Sequence, residues 1–457
     1  MRKIERRAAV CLLLSAALVL GTCIFSFLFF KDGGRWVSFA ANRHLYNSSG
    51  ELSVGQVLDR DGDLLSWVDA SGRRVYYANT IVRKATLHTV GDTQGKIGSG
   101  ALVAFADKLS GYNLITGAYT PLGEGNDLYL TIDAHLNYVA YQALNGRKGT
   151  VGVYNYKTGE MLCLLSSPAF DPADPPEIQE GDPQYDGVYV NRFLSGSFVP
   201  GSVFKTVTLS AAIEKLPDLF ARTFTCTGST LVGGEAVTCP SAHGEMDIYS
   251  AYSNSCNSVF AQLAAELGSN VMTSYTRKAG LTDTYKVSGL KTTSGRFQFS
   301  DCTENQLGWA GVGQYNDLLN PCSLMVYMGA IANGGKAAVP QLIYRTVTPL
   351  GIPTSFYLPH KTGTLISSTT AETLSGMMAR NVSEVYGSGR FPNMDICAKS
   401  GTAEVGGGKT PTSWFSGFLR NEDAPYAFAV VVEEGGSGSK TAGGVASSVL
   451  NALVNGD

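Results

Sequence analysis

A serine placed three residues ahead of a lysine can serve as an acyl-transfer nucleophile if something fixes the two side chains against each other. The stretch PGSVFKTV, from Pro200 to Val207, offers such a pair in Ser202 and Lys205. Pro200-Gly201 breaks the chain, and the run VFKTVTLSAAIEK that follows carries apolar residues at helical spacing. The pattern predicts that Ser202 opens a helix and that Lys205 lies one turn later on the same face. A hydroxyl is a weak nucleophile at neutral pH, and an amine held beside it can take its proton. By itself an S-x-x-K is a weak signal, since most are a surface serine near a lysine. Two others occur, Ser288 with Lys291 and Ser437 with Lys440, both in polar, glycine-containing loops with no helix to fix them.

The company of Ser202 changes the odds. An S-x-N follows at Ser255-Cys256-Asn257, and K-[ST]-G triplets begin at Lys157, Lys361 and Lys399. S-x-x-K, S-D-N and K-T-G occur together, in this order, in penicillin-interactive serine enzymes. Lys157 precedes the nucleophile and falls in a hairpin turn. Lys361 follows a proline and leads into LISSTTAETLSGMMARNV, which reads as a capped helix. KSGTAE at 399–404 instead continues the apolar run DICA and returns through GGGKTPT into SWFSGF. A cationic edge strand can bind a substrate carboxylate and lend a backbone N–H to an oxyanion hole, so Lys399 is preferred over Lys361.

The stretch from about Asp127 onward resembles the transpeptidase domain of class B penicillin-binding proteins. The resemblance rests on LTID, SSPAFDP, NRFLSGSFVPGSVFK, SCNSVFAQLA, GVGQ, AIANGG and KSGTAE, taken in order. It implies that Ser202 is acylated, that Lys205 takes its proton, and that Ser255 relays a proton to the leaving amine. It further implies that Asn257 binds the substrate amide and holds Lys205, and that Lys399 supplies a positive field. Ser400, Gly401 and Thr402 would bind substrate, the two hydroxyls meeting its terminal carboxylate. The N–H groups of Ser202 and Thr402 would form the oxyanion hole. A lysine can act as a base only if its pKa is lowered, which burial beside Lys399 would do. No cofactor and no metal is expected.

These residues need elements to hold them. Strand-like segments (DLYLTID, GTVGVYNYKTGEMLCLLSS), then helical patterns across much of 203–333, then strands again (DICAKSGTAEV, SWFSGFLR, YAFAVVVEE) and a closing helix from about Ala442 indicate an α+β domain over 126–457. The resemblance implies an antiparallel sheet with a helical region, as in serine β-lactamases. Asn320 reads as an N-cap with Pro321 at the first helical position. Residues 31–125 read as a short β-rich pedestal with runs such as RRVYYANTIV. GQVLDRDG at 55–62 resembles the family's opening strand, with Val54 where arginine is usual, and PLGEGN at 121–126 reads as a linker. The expectation is a chain with no glycosyltransferase-like domain before the pedestal and no repeat domain after the transpeptidase region.

The first seven residues carry Arg2, Lys3, Arg6 and Arg7, and Ala8 to Phe30 then run without a charge. That is long enough to span a bilayer, for which about 20 residues suffice, and longer than a signal-peptide core. The expectation is an uncleaved signal-anchor over 8–30, a basic cytoplasmic tail over 1–7, and everything after Lys31 outside a bacterial cell membrane. Ser38-Phe39-Ala40 has small residues at cleavage-like positions but lies too far from the apolar run, and Cys23 follows a threonine unsuited to a lipoprotein site. A net charge of −3 leaves no basic footprint for nucleic acid.

Of nine cysteines, Cys11 and Cys23 fall in the span, and Cys163, Cys322 and Cys397 read as core thiols. Cys226 and Cys239 flank TGSTLVGGEAVT, a hairpin with a Gly-Gly turn, and outside the membrane they could pair. A zinc site using them and His243 lacks a regular C-x-x-C pair, so His243 reads first as a turn residue. Trp414 and Phe415 read as strand core or cleft wall.

The leading reading is a membrane-anchored D,D-transpeptidase that cross-links peptidoglycan stem peptides, is inhibited by β-lactams, and works with a separate membrane glycosyltransferase. A hydrolase of D-Ala-D-Ala bonds or of β-lactams is the second, although the chain lacks an E-x-x-L-N block. A non-enzymatic β-lactam receptor or scaffold is the third.

Overall fold

The computed structural model of the chain describes residues 2–37, 55–110, 125–356 and 358–456. Val54, residues 38–40 and the first part of the 121–126 linker lie outside the described residues. Helix α1 (Arg2–Val37) contains a stretch, Arg2–Phe29, long and apolar enough to cross a membrane, and none of it is buried against the rest of the protein.

Strands β1 (Gln56–Leu58), β2 (Leu64–Val68) and β3 (Arg74–Tyr76) come next, followed by helix α2 (Thr80–Val90) and the single-turn helices α3 (Ala101–Ala104) and α4 (Ala106–Leu109). The run RRVYYANTIV is therefore only half strand. Asn79 ends the extended part, because its side chain accepts from the N–H groups of Ile81 and Val82 and so caps a helix. Strand β4 (Asp127–Leu130) then leads into helix α5 (Ala134–Leu144), capped by Asp133. Strands β5 (Gly149–Asn155) and β6 (Met161–Ser167) form the expected hairpin, and helix α6 (Arg192–Ser195) precedes the Ser202 turn.

The middle of the chain is helical with a small β insertion. Helix α7 spans Lys205–Lys215, and strands β7 (Phe224–Cys226), β8 (Ser229–Val232), β9 (Glu235–Thr238) and β10 (Gly244–Met246) follow. β8 and β9 close through Gly233 and Gly234, both at positive φ, as a tight hairpin turn demands. Helices α8 (Ile248–Ser253) and α9 (Asn257–Lys278) bracket the S-x-N segment. A short hairpin of β11 (Lys286–Val287) and β12 (Leu290–Lys291) precedes helices α10 (Glu304–Gly311) and α11 (Pro321–Ala332). Strands β13 (Ile343–Val347) and β14 (Pro353–Phe356), helix α12 (Ser368–Asn381), strands β15 (Ile396–Ala403), β16 (Thr412–Leu419) and β17 (Tyr426–Val432), and helix α13 (Gly443–Asn455) complete the chain.

Two sheets organise these elements. One has the order β14-β13-β4-β1-β2-β3 and takes strands from both sides of residue 125. The other, β15-β16-β17-β5-β6, is antiparallel throughout and carries the site. Its central strands are apolar on both faces because both are covered. Phe428, Val430 and Val432 pack with Leu136 and Ala140 of α5 and Val445 and Val449 of α13. Ala427, Ala429 and Val431 belong to the core on the other side, with Met325 and Met328 of α11. β15 is left at the edge of this sheet, open to the Ser202 turn.

Asn320 ties α11 to the approach to that turn. It is fully buried, its Oδ1 accepts from the Ser323 N–H, and its Nδ2 donates to the carbonyls of Phe193, Leu194 and Gly196. Next to it, Phe198 and Leu319 exchange backbone hydrogen bonds of 3.0 and 2.8 Å. Asn320→Ala removes the cap and leaves buried carbonyls without a donor, so it is expected to destabilise the fold by about 2–4 kcal/mol. A urea melt of the variant checks this; a change under about 0.5 kcal/mol, the range of ordinary surface substitutions, would contradict it.

Candidate active site

Ser202 lies in a 3-10 turn, Gly201–Val203, that runs directly into α7, so the serine opens the helix and Lys205 begins its regular part. The turn is pressed onto β15. Gly201 has φ +56°, and a Cβ there would sit 2.7 Å from the Thr402 carbonyl oxygen. Its N–H donates to Gly313 O at 2.8 Å. Gly313, in the GVGQ stretch, has φ +85°, and a Cβ on it would collide with the Gly201 carbonyl. Glycine is required at both positions for the serine to reach the edge strand.

Lys205 and Lys399 are both completely buried. Lys205 Nζ donates to the Ser255 carbonyl at 2.6 Å, to Asn257 Oδ1 at 2.7 Å and to Ser255 Oγ at 3.3 Å. Lys399 Nζ donates to the same Ser255 Oγ and to the Ser400 carbonyl, each at 3.0 Å. One serine hydroxyl thus joins two lysines whose sequence positions are far apart. The hydrogen bonds of Lys205 Nζ go to Ser255 and Asn257 and not to Ser202.

Ser255 sits between α8 and α9 with φ +56°, a left-handed conformation uncommon outside glycine and asparagine. It persists because the flanking residues are held. Asn257 starts α9, donates from Nδ2 to Thr238 O at 3.0 Å, and gives its backbone N–H to Cys239 Sγ at 3.3 Å.

Burial disfavours both ammonium groups. It pulls the Lys205 pKa down to about 7. Lys399 is pushed well below the ordinary lysine value by burial first and by the neighbouring Lys205 charge second. Sequence reasoning expected burial beside the other lysine to lower the Lys205 pKa, and Lys205 is lowered, chiefly by burial. The pair sheds its first proton readily, because two adjacent desolvated charges repel.

On β15, Ser400 and Thr402 flank Gly401. The Ser400 N–H and Oγ both donate to the Tyr386 hydroxyl, at 2.9 and 3.0 Å. Thr402 Oγ1 accepts from the Gly438 N–H at 3.2 Å. Gly401 leaves no room for a side chain, since a Cβ would lie 2.9 Å from the Pro200 carbonyl. Tyr386 escaped sequence reasoning. It is buried edge-on against Phe415, and nothing in VSEVYG marks it. Trp414 is fully buried, and its Nε1 donates to the Val199 carbonyl at 2.9 Å, which fixes the strand before the Ser202 turn.

The competing motifs fall elsewhere. Lys157 is exposed in the β5–β6 turn, and Lys361 is exposed in an isolated bridge to Ala338 ahead of α12. Ser288 Oγ accepts from the N–H groups of Leu342 and Ile343, a structural use. Ser437 and Lys440 lie near the end of β15, where Gly438 meets Thr402, but both are exposed, and Ser437 Oγ pairs with Ser439 Oγ at 3.4 Å.

The penicillin binding protein transpeptidase domain model matches residues 149–455. The chain belongs to the penicillin-binding protein transpeptidase family. Among relatives of this family, the peptidoglycan D,D-transpeptidase PbpA of Mycolicibacterium smegmatis is 27% identical over 369 residues, covering 72% of this chain and 72% of that protein. Stage V sporulation protein D of Bacillus subtilis is 34% identical over 174 residues, or 35% of this chain and 26% of that protein. Two solved structures share the fold. One is the D,D-transpeptidase domain of a peptidoglycan glycosyltransferase from Eggerthella lenta, with a TM-score of 0.75, 26% identity, and coverage of 88% of this chain and 98% of that one. The other is the ceftriaxone acyl-enzyme complex of penicillin-binding protein A from Mycobacterium tuberculosis, with a TM-score of 0.77, 22% identity, and coverage of 88% and 98%. The chain is a class B penicillin-binding protein.

One further cluster adjoins this candidate site. Cys226, Cys239, His243 and Cys256 bring their donor atoms within 4.8 Å of one another. All four are candidate metal ligands. Cys226 and Cys239, which the sequence allowed to pair, are free thiols.

Because the base must be neutral to accept a proton, acylation of this protein by a labelled penicillin should be slow at about pH 5, rise through about pH 7 with the Lys205 pKa, and level off above. A stopped-flow or gel-based rate profile checks this. A rate still climbing steeply above about pH 9 would mean that Lys205 keeps an ordinary lysine pKa.

Proposed function

We propose that the protein is a membrane-anchored peptidoglycan D,D-transpeptidase that cross-links stem peptides through a Ser202 acyl-enzyme and is acylated at the same residue by β-lactams. On this reading α1 is its single anchor, the catalytic region lies outside a bacterial cell membrane, and a separate membrane glycosyltransferase supplies the glycan strands. The observation that carries the proposal is the sharing of one hydroxyl, Ser255 Oγ, by two fully buried lysines beside the Ser202 turn.

The assigned roles follow from donors and lone pairs. A neutral Lys205 amine has two N–H groups and one lone pair. The Ser255 carbonyl and Asn257 Oδ1 engage the two N–H groups, which leaves the lone pair for the Ser202 proton. Ser202 Oγ attacks the carbonyl carbon of the penultimate D-Ala, and its proton passes to Lys205 Nζ. The oxyanion is held by the backbone N–H groups of Ser202 and Thr402. As the tetrahedral species collapses, the C–N bond breaks. The proton moves from Lys205 through Ser255 Oγ to the departing D-Ala amine. The acceptor amine then attacks the ester and the same relay runs in reverse, restoring Ser202. After the pair has shed its first proton, the remaining one is on this reading assigned to Lys399, whose charge then draws in the substrate carboxylate, met by the hydroxyls of Ser400 and Thr402. A β-lactam undergoes the first half of this sequence, but its leaving nitrogen stays tethered and blocks the acceptor.

Ser202→Ala should abolish the adduct seen by intact-mass spectrometry with a penicillin. Lys399→Ala should slow acylation by about 10²-fold or more, as for loss of a preorganised charge at a reacting centre. Lys361→Ala should leave the rate within about twofold. An adduct surviving in Ser202→Ala, or a large loss in Lys361→Ala alone, would mean that the site lies elsewhere.

With a thioester stem-peptide mimic as donor, the acyl-enzyme should partition to an added D-amino acid over water. Release to water alone, or rapid turnover of the penicillin, would make the protein a hydrolase.

A further inference from the structure

The cluster of Cys226, Cys239, His243 and Cys256 lies outside the acyl-transfer chemistry, yet it touches the segment that holds Lys205. Its donors come from three places: the end of β7, the loop between β9 and β10, and the residue before α9. Cys239 and Cys256 approach to 3.9 Å between sulfurs, and Cys239 Sγ lies 3.5 Å from His243 Nδ1. In a tetrahedral zinc site, with Zn–S about 2.3 Å and Zn–N about 2.0–2.1 Å, those edges should be about 3.8 and 3.6 Å. The spacing therefore fits a shared ion.

The histidine is oriented as a ligand. Nδ1 faces the sulfurs, while Nε2 lies 3.2 Å from Ser241 Oγ, which can accept an Nε2 proton when Nδ1 presents its lone pair to a metal. The Asn257 N–H already donates to Cys239 Sγ, as suits a thiolate. Three soft sulfurs and one imidazole disfavour calcium and magnesium, which take oxygen, and match zinc. Three cysteines also cannot all be satisfied by one disulfide.

We propose that Cys226, Cys239, Cys256 and His243 bind one structural zinc ion that positions the S-x-N segment. With four protein ligands the site has no open position for substrate, so the ion does not enter the reaction. Binding releases the three thiol protons to solvent and leaves three thiolates on the metal. Cys256 is the central residue of Ser255-Cys256-Asn257, and as the residue capping α9 it makes no side-chain capping hydrogen bond. Anchoring its sulfur fixes the backbone on either side: the Ser255 carbonyl and Asn257 Oδ1, the two acceptors of Lys205. The second anchor, Cys239, adjoins Thr238, whose carbonyl holds the Asn257 side chain. The ion thus joins the β7–β10 insertion to the start of α9. This replaces the expectation of no metal, which rested on the missing C-x-x-C pair. Three of the ligands, Cys226, Cys239 and His243, could be weighed from the sequence; the fourth, Cys256, comes from the S-x-N segment, and no regular spacing joins it to them.

Plasma-mass-spectrometric metal analysis of the full-length protein in detergent, after exhaustive dialysis, tests the site. One zinc per chain is expected, and Ser202→Ala should keep it, which separates failure of this inference from failure of the transpeptidase reading. Cys239→Ser and His243→Ala should lower zinc affinity about 10-fold to 100-fold or more. Should those variants not fold, wild-type protein reconstituted with cobalt(II) should show the intense visible bands and the sulfur-to-cobalt charge transfer of a tetrahedral thiolate site. Removing zinc with a chelator should slow penicillin acylation at least about 10-fold, with recovery on adding zinc back. Protein without stoichiometric zinc and without the cobalt bands, a Cys226–Cys239 disulfide in non-reducing peptide mapping, or unchanged zinc in folded ligand variants would overturn the site. Full acylation by the stripped protein would overturn its positioning role.

Discussion

The structure around the site is governed by the burial of two lysine ammonium groups against one serine hydroxyl. Removing a charged amine from water costs several kcal/mol unless acceptors replace the lost hydration. Lys205 has the Ser255 carbonyl and Asn257 Oδ1, and Lys399 has Ser255 Oγ and the Ser400 carbonyl. Every one of these acceptors sits on an element held from behind. Ser400 is pinned by Tyr386, Asn257 by Thr238 and Cys239, and the left-handed Ser255 by both of its neighbouring helices. The burial that lowers the lysine pKa values would, on the proposed mechanism, also prepare Lys205 to act as the base, so the cost of desolvation and the proposed chemistry have one source.

Close packing of backbone supplies the second requirement. On the proposed mechanism the serine turn must lie against the edge strand, so that the nucleophile and the oxyanion hole face the same carbon. Gly201, Gly313 and Gly401 permit it, each at a point where a Cβ would press on a neighbouring carbonyl. β15 can receive the turn because it is the last strand of its sheet, while β16, β17 and β5 are covered on both faces by helices. The core therefore works on the site indirectly. It makes the sheet rigid and leaves one edge for chemistry.

Much of this was legible in the residue order. Asn320, Ser367 and Asp133 cap helices as their types and positions suggest, and Gly233-Gly234 closes a hairpin. Lys399 could be told from Lys361 because one continues an apolar strand and the other precedes a helix. Asn79 was a capping signal overlooked within a run that reads as strand, so α2 was missed. Tyr386 was invisible because a hydroxyl that supports a strand from a distant helix end leaves no local pattern.

Sequence alone determined which residue types are present in which order, and hence the local elements: a helix opening at Ser202, a strand carrying Lys399, an apolar helix at the N-terminus. Those depend on short-range periodicity and capping, which a few adjacent residues encode. Only the tertiary structure decided that Ser255 Oγ lies between Lys205 and Lys399, that both lysines are fully buried, and that three cysteines and a histidine meet behind the S-x-N segment. Such contacts join residues far apart along the chain. Their distances are set by how sheets and helices pack, and no local spacing records them.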